Sequence, residues 1–257
     1  MFSESGLNEL SLYFTKNTLY AFDFDGTITS LKHGYSFVKI KPSLRKKLRL
    51  LAALVPVVVV SGRGKRSLEK TLSEPAIRVV GDHGIEGAHK LSMKRRKEFK
   101  SKMNLLKDFI ATHFINNEKM KGLFIEDKKI SLTLHFYNSS CPERNRQKVI
   151  KALEKMKSPP RLILGRGVLN CLPTFKLNKG TSILHLRKVL KCSHAIYLGD
   201  DGTDEDVFRL KDKKILKVRI GKTRTTSATH YLWDQSEVEV LISRILEFLM
   251  PGHLNSL

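Results

Sequence analysis

Acidic residues, cysteines and long apolar runs are all scarce in this sequence. Its 257 residues carry 25 Asp and Glu against 47 Lys and Arg. The three cysteines, Cys141, Cys171 and Cys192, are far apart and form no Cys-x-x-Cys pair, so neither a zinc site nor a disulfide framework is expected. The longest apolar run, residues 50–60, has 11 residues and contains Pro56, too short to cross a bilayer. The amino-terminal stretch holds Glu4 and Glu9 and has no basic-then-apolar order, unlike a secretory signal. A soluble, cytoplasmic protein without a membrane partner is expected. With 41% hydrophobic and 28% charged residues it reads as globular, long enough for one large domain or two modest ones.

The excess of base gives a net charge of +22. Residues 89–174 contain 20 Lys/Arg and 7 Asp/Glu, a net of +13, and the remainder contains 27 and 18, a net of +9. The charge is spread through periodic, apolar-containing segments and forms no tail. No zinc-finger spacing or aromatic RNA-binding signature accompanies it. It is read first as a solvated basic surface, and next as a field that gathers anionic small molecules. Nucleic acid is not the expected partner, and a monomer is expected.

Apolar runs that end in small or acidic residues recur along the chain. Residues 19–24 read as a buried strand that delivers its end, within Asp23-Phe24-Asp25-Gly26-Thr27, into a loop. Side chains at i and i+2 leave a strand on one side, so Asp23 and Asp25 can converge on one ion or substrate; an ordinary Asx turn is the other reading. The β-branched run 55–60 reads as a parallel strand covered on both faces and ends in Ser61-Gly62-Arg63. There Ser61 either caps the next helix or, with the following N–H groups, binds phosphate. A strand at 77–80 ends in Gly81-Asp82-His83-Gly84, and one at 195–198 delivers Gly199-Asp200-Asp201-Gly202-Thr203-Asp204. So many carboxylates at one strand end call for a metal or basic groups, and oxygen ligands suit Mg²⁺; a solvated acidic loop is the other reading. Lys179 opens a helix, where the dipole disfavours a cation; it is either incidental or there to neutralise phosphate.

Alternating strands and helices imply an α/β fold with a doubly wound parallel sheet, whose ligands sit beyond the carboxyl ends of the strands. The texture changes at residue 89. A basic helix over 93–114, strands within 123–136, a helix over 142–156 and short strands at 161–164 and 167–172 read as an inserted α+β unit. Residues 1–88 and 175–257 then form the core and 89–174 a cap. Residues 1–18 read as an amphipathic lead-in and 30–42 as a loop before a helix over 42–53. The core closes with a helix over 181–190, a strand at 216–220 and a helix over 236–249.

Asp23-Phe24-Asp25-Gly26-Thr27, Ser61-Gly62-Arg63, Lys179-Gly180 and Gly199-Asp200-Asp201 occur in the order of the four motifs of the haloacid-dehalogenase-like phosphatases, and the set resembles that superfamily. Gly81-Asp82-His83-Gly84, Glu126-Asp127-Lys128 and residues 199–208 are similar to the trehalose-6-phosphate phosphatases within it. The resemblance implies a Rossmann-like core and Mg²⁺-dependent hydrolysis of a phosphorylated disaccharide. It implies Asp23 as nucleophile and Asp25 as general acid and base. Asp23, the Asp25 carbonyl and Asp200 would hold Mg²⁺, with Asp201 and Asp204 orienting waters or Lys179. Ser61, Gly62 and Lys179 would bind the phosphoryl group, and Arg63, His83, Glu126, Lys128 and Asn170 the sugar.

The match has departures. Asn170-Cys171-Leu172-Pro173 stands where the family has Glu-x-Arg-Pro, Asp82 replaces an Asn, and Lys129 replaces a Gly. These touch the sugar more than the phosphoryl machinery. A phosphatase of sucrose phosphate or mannosyl-phosphoglycerate type therefore remains an alternative. A non-catalytic basic binding protein is another, and it would show salt-sensitive polyanion binding without turnover.

Overall fold

The computed structural model describes residues 10–30, 38–115, 120–165, 167–174 and 176–251. Much of the expected lead-in (residues 1–9) and loop (residues 31–37) lies outside these. The chain divides into two compact units, Met1–His89 with Leu177–Leu257, and Lys90–Lys176. Each has its own apolar core.

The first unit is built on six parallel strands: β1 (Thr18–Phe22), β2 (Val57–Val60), β3 (Arg78–Val80), β8 (His194–Gly199), β9 (Ile215–Ile220) and β10 (His230–Leu232). Their order is β10-β9-β8-β1-β2-β3. β1 and β2 are buried along their whole length, as expected of near-continuous apolar runs in a sheet covered on both faces. Alternate residues feed the two faces. Tyr20, Phe22, Val57, Val59, Ile196 and Leu198 pack with helices α1 (Pro42–Leu54), α2 (Lys65–Leu72) and α7 (Glu237–Leu249). Leu19, Ala21, Val58, Val60, Ala195 and Tyr197 pack with α5 (Lys179–Val189) and the short α6 (Glu205–Phe208). This is the expected doubly wound α/β core.

The order fixes where a ligand can sit. The chain winds from β1 through β2 to β3, then crosses back to place β8 on the other side of β1. The carboxyl ends of β1 and β8 therefore flank the point where the winding reverses, the natural crevice of such sheets. Phe22 stands opposite Leu198, and the Asp23 N–H donates to the Leu198 carbonyl at 2.8 Å. Residues that follow these strands are neighbours despite their separation in sequence.

The second unit is a four-stranded antiparallel sheet in the order β4-β5-β7-β6, made of β4 (Phe124–Asp127), β5 (Leu132–His135), β6 (Arg161–Gly165) and β7 (Val168–Leu172). Leu132, Leu134, Leu169 and Cys171 pack with Met103, Leu106 and Ile110 of α3 (Met93–Ile110) and with Val149 and Leu153 of α4 (Pro142–Glu154). Apolar residues at helical spacing in α3 are packing residues, as their period predicts.

Several boundaries differ from the sequence reading. The α-helical part of α3 ends at Ile110 and a π-helical turn carries it on over Ala111–Ile115, so the expected helix over 93–114 is covered but changes its hydrogen-bond period near its end. Ser61 caps no helix: α2 begins at Lys65 with Gly64 at its cap position. β10 was not expected. At three residues, HYL, it is shorter than the window over which a strand period becomes visible. Among the described residues no helix is long and apolar enough to cross a membrane.

α1 and the segment after α2 are tied by charge. Glu74, with 6% side-chain exposure, accepts from Arg49 Nε at 3.0 Å and Nη2 at 2.9 Å, and from Arg45 Nη1 at 3.4 Å. The Arg49 bonds first, then that of Arg45, hold its carboxyl below the usual range against the opposing effect of burial. A lowered folded-state pKa adds stability above the unfolded value of about 4.3, and that stability is lost as pH falls through the folded value. Glu74→Gln should therefore cost about 1 kcal/mol at pH 7, since Arg49 is largely in solvent. In urea titrations the gap from the parent chain should close between about pH 5 and pH 3.

Candidate active site

Beyond the carboxyl ends of β1 and β8, one ammonium is shared by two carboxylates. Lys179, 1% exposed, donates from Nζ to Asp23 Oδ1 and to Asp204 Oδ1, both at 2.7 Å. It occupies the first position of α5, where the dipole opposes a cation. Asn178 and Thr181 close a capping box around that turn, so the backbone there is satisfied without Lys179. The side chain is held by its carboxylates, which excludes the incidental exposed lysine. Burial opposes its charge, but Asp204 and Asp23 outweigh burial and lift its pKa well above the ordinary value.

Asp204 is saturated. Besides Lys179, Tyr197 Oη donates to Oδ1 at 2.6 Å, and the N–H groups of Asp200 and Asp201 donate to Oδ2 at 2.9 and 3.0 Å. It thereby shapes the Asp200–Asp201 turn and anchors Lys179. Asp201 Oδ1 accepts from Thr203 N at 2.7 Å and Oγ1 at 2.6 Å. Burial acts against the Asp201 charge, yet Lys179 and the two Thr203 bonds bring its pKa down to about 2. Asp200 goes the other way: burial, then Asp204 and Asp201, push it up to about 7. Burial also raises Asp23 well above its ordinary value; Lys179 opposes the rise, and Asp204, Asp200 and Asp201 add to it.

Asp23, Asp200 and Asp204 offer carboxylate oxygens within 4.8 Å of one another. Asp204 has all its acceptors engaged, so Asp23 and Asp200 are the side chains left to hold a cation. Gly26 makes room for this. Its φ is +86°, and a Cβ there would lie 2.1 Å from Asp200 Oδ2. An all-oxygen donor set with unrelieved negative charge fits a hard divalent ion.

The remaining core residues lie in adjoining loops. Asp25 accepts two bonds from Arg63, and the Arg63 N–H donates to Ser61 Oγ at 3.1 Å. His83 is buried, and a Cβ on Gly62 would lie 2.5 Å from its ring. Its N–H bonds the Ser61 carbonyl and that of Asp82 the Arg63 carbonyl, each at 2.9 Å. The turn after β3 thus supports the loop after β2. Glu126 and Asn170 lie in the second unit on one row of its sheet, with Thr133 between them; Lys128 follows β4. Thr133 Oγ1 donates to Asn170 Oδ1 at 2.7 Å, and His135 Nε2 meets Glu126 Oε2 at 3.0 Å.

Sequence reasoning missed the residues behind the site. Tyr197 reads as core within an apolar strand, and Thr203 as part of a turn. Arg219 donates to the carbonyls of Asp200 at 2.6 Å and Asp201 at 3.3 Å. Its signal was legible: Lys217 and Arg219 interrupt an otherwise apolar β9 at the strand period.

Comparison with known proteins follows the same outline. The sequence profile of the family described as trehalose-phosphatase matches residues 21–236. Probable trehalose-phosphate phosphatase E of Arabidopsis thaliana is 29% identical, over 91% of this chain and 71% of that protein. Probable trehalose-phosphate phosphatase 4 of Oryza sativa subsp. japonica is 24% identical, over 94% and 69%. Among solved structures, the C. albicans trehalose-6-phosphate phosphatase C-terminal domain matches with a TM-score of 0.74 and 21% identity, over 93% of this chain and 95% of that one. At that identity the likeness shows a shared fold.

Asp204→Asn places an amide NH₂ where only donors converge. It should cost about 3 kcal/mol in urea unfolding at pH 7, the scale for breaking a buried ion pair by removing one charge. Asp201→Asn keeps an acceptor for Thr203 and should cost less than half as much in the same titration.

Proposed function

The chain belongs to the trehalose-phosphatase family, and we infer that it hydrolyses trehalose 6-phosphate to trehalose and phosphate through an aspartyl-phosphate. The observation that carries this reading is the buried Lys179, bonded at once to Asp23 and Asp204, beside a carboxylate pair on adjacent strand ends. A structural ion pair would be balanced. Here the surplus of carboxylates belongs to a site that receives a cation and a phosphoryl group.

Asp23 attacks phosphorus as the bond from phosphorus to the sugar oxygen breaks. Asp25 gives the leaving oxygen its proton, then takes one from the water that cleaves the acyl phosphate and releases phosphate. Lys179 fixes the Asp23 carboxylate and offsets charge on the phosphoryl oxygens, with the Ser61 hydroxyl and the Gly62 N–H as further donors. Asp23, Asp200 and the Asp25 carbonyl are the groups that would hold Mg²⁺. When bound, the ion screens carboxylate from phosphate so that one anion can approach another. Glu126, Asn170 and Lys128, with Thr133 and His135 as hydrogen-bond partners of Asn170 and Glu126, are the groups proposed to bind the sugar, and residues 89–174 the cap that carries them.

Phosphate release from trehalose 6-phosphate should fall by at least about 1,000-fold in Asp23→Asn, which removes the nucleophile. Chelation should abolish it, and added Mg²⁺ should restore it, in a malachite-green assay. Robust turnover by the Asn variant would overturn the assignment. Sucrose phosphate and mannosyl-phosphoglycerate, run beside it, should be poorer substrates; preference for either would move the substrate and leave the reaction intact.

A further inference from the structure

We propose that Arg63 is a positioning residue for Asp25, setting the plane of the carboxylate that exchanges a proton with the sugar oxygen and then with water. The inference rests on the phosphatase reading above. β1 and β2 are paired with Phe22 opposite Val59, so the loops that leave them run side by side and bring Arg63 to Asp25. Arg63 Nε donates to Oδ2 at 2.8 Å, and Nη2 donates to Oδ1 at 2.7 Å. Two parallel bonds from a rigid planar fork fix the orientation of a carboxylate as well as its distance. A single ammonium fixes the distance alone.

The clamp is itself held. The guanidinium carbon lies 5.5 Å from the centroid of Phe24, a fully buried ring between the two aspartates. On the main chain, the Arg63 N–H bonds Ser61 Oγ, and its carbonyl accepts from the Asp82 N–H. Both side chains are about one-fifth exposed, 21% for Arg63 and 18% for Asp25, so the pair borders solvent. Each clamped carboxylate oxygen retains a second lone-pair direction. The carboxylate can therefore be fixed by Arg63 and still meet a leaving oxygen or a water. Holding a catalytic group in one orientation removes motion that the transition state would otherwise have to suppress.

If Arg63 instead served the phosphoryl group directly, its loss would be felt equally with every phosphate ester. If it serves Asp25, the loss should follow the need for a proton. A sugar alkoxide leaves poorly without one, whereas p-nitrophenoxide leaves unaided. The constant to compare is kcat/KM, which reports only steps through departure of the leaving group.

R63A should lose about 100-fold in kcat/KM for trehalose 6-phosphate and no more than about fivefold for p-nitrophenyl phosphate, the scale of general acid catalysis. D25A should lose at least as much with trehalose 6-phosphate, and D25A/R63A should fall no further than D25A with that substrate. Added guanidinium ion should recover part of the R63A loss with the sugar phosphate alone. R63K, which keeps charge but not the fork, should retain the split and decides the matter if R63A does not fold. Equal losses on both substrates, or a double variant that falls by the product of the two single effects, would overturn the proposal. A wild-type chain inactive on both substrates with Mg²⁺ present would overturn the phosphatase reading and this proposal with it. An active wild type with equal losses in the variant overturns this proposal alone.

Discussion

A buried ammonium between two buried carboxylates is the contact on which the rest of this site depends. Removing Lys179 would leave Asp23 and Asp204 facing each other in a low-dielectric interior, an arrangement that protonation would have to relieve. With Lys179 in place, Asp204 can bind two backbone N–H groups of the following turn and fix the Asp200 and Asp201 backbone. Tyr197 completes the acceptor set of Asp204 from within β8. The ion pair is therefore an organiser as much as a stabilising contact, joining β1, β8 and the start of α5 at one point.

Much of this was legible in the sequence because the parallel sheet gives distant motifs a common address. Apolar runs ending in Asp23, Ser61 and Asp200 mark strand ends, and strand ends in a doubly wound sheet share one edge. The adjacency of residues 23 and 200 follows from that topology. What could not be read was who satisfies whom. Arg63 carried a sugar-contact expectation through the resemblance; that its side chain bonds Asp25 shows only in the structure. Tyr197 looks like any core aromatic until its hydroxyl is placed. Pairings of this kind depend on rotamers and loop paths, which leave no period in the sequence. β10 escaped for a simpler reason: three residues cannot display an alternation.

The second unit shows the same limit. Its helices were legible from their apolar stripes, and its four strands from short β-rich runs between polar turns. Its row of Glu126, Thr133 and Asn170 appears only once the antiparallel register is known. Asn170, the departure from the family pattern, takes its partner Thr133 from the neighbouring strand. A change of side chain in one strand of such a row alters the hydrogen bonds available to the next.

At Gly26 the backbone turns through φ +86°, and the space a side chain would fill is taken by the Asp200 carboxylate. That vacancy ties two far-separated codons to each other's chemistry. Any drift from glycine at 26 demands a shorter or displaced acid at 200, and a shorter acid does not exist among the amino acids. The position therefore admits not even a methyl group while the carboxylate of residue 200 stays where it is.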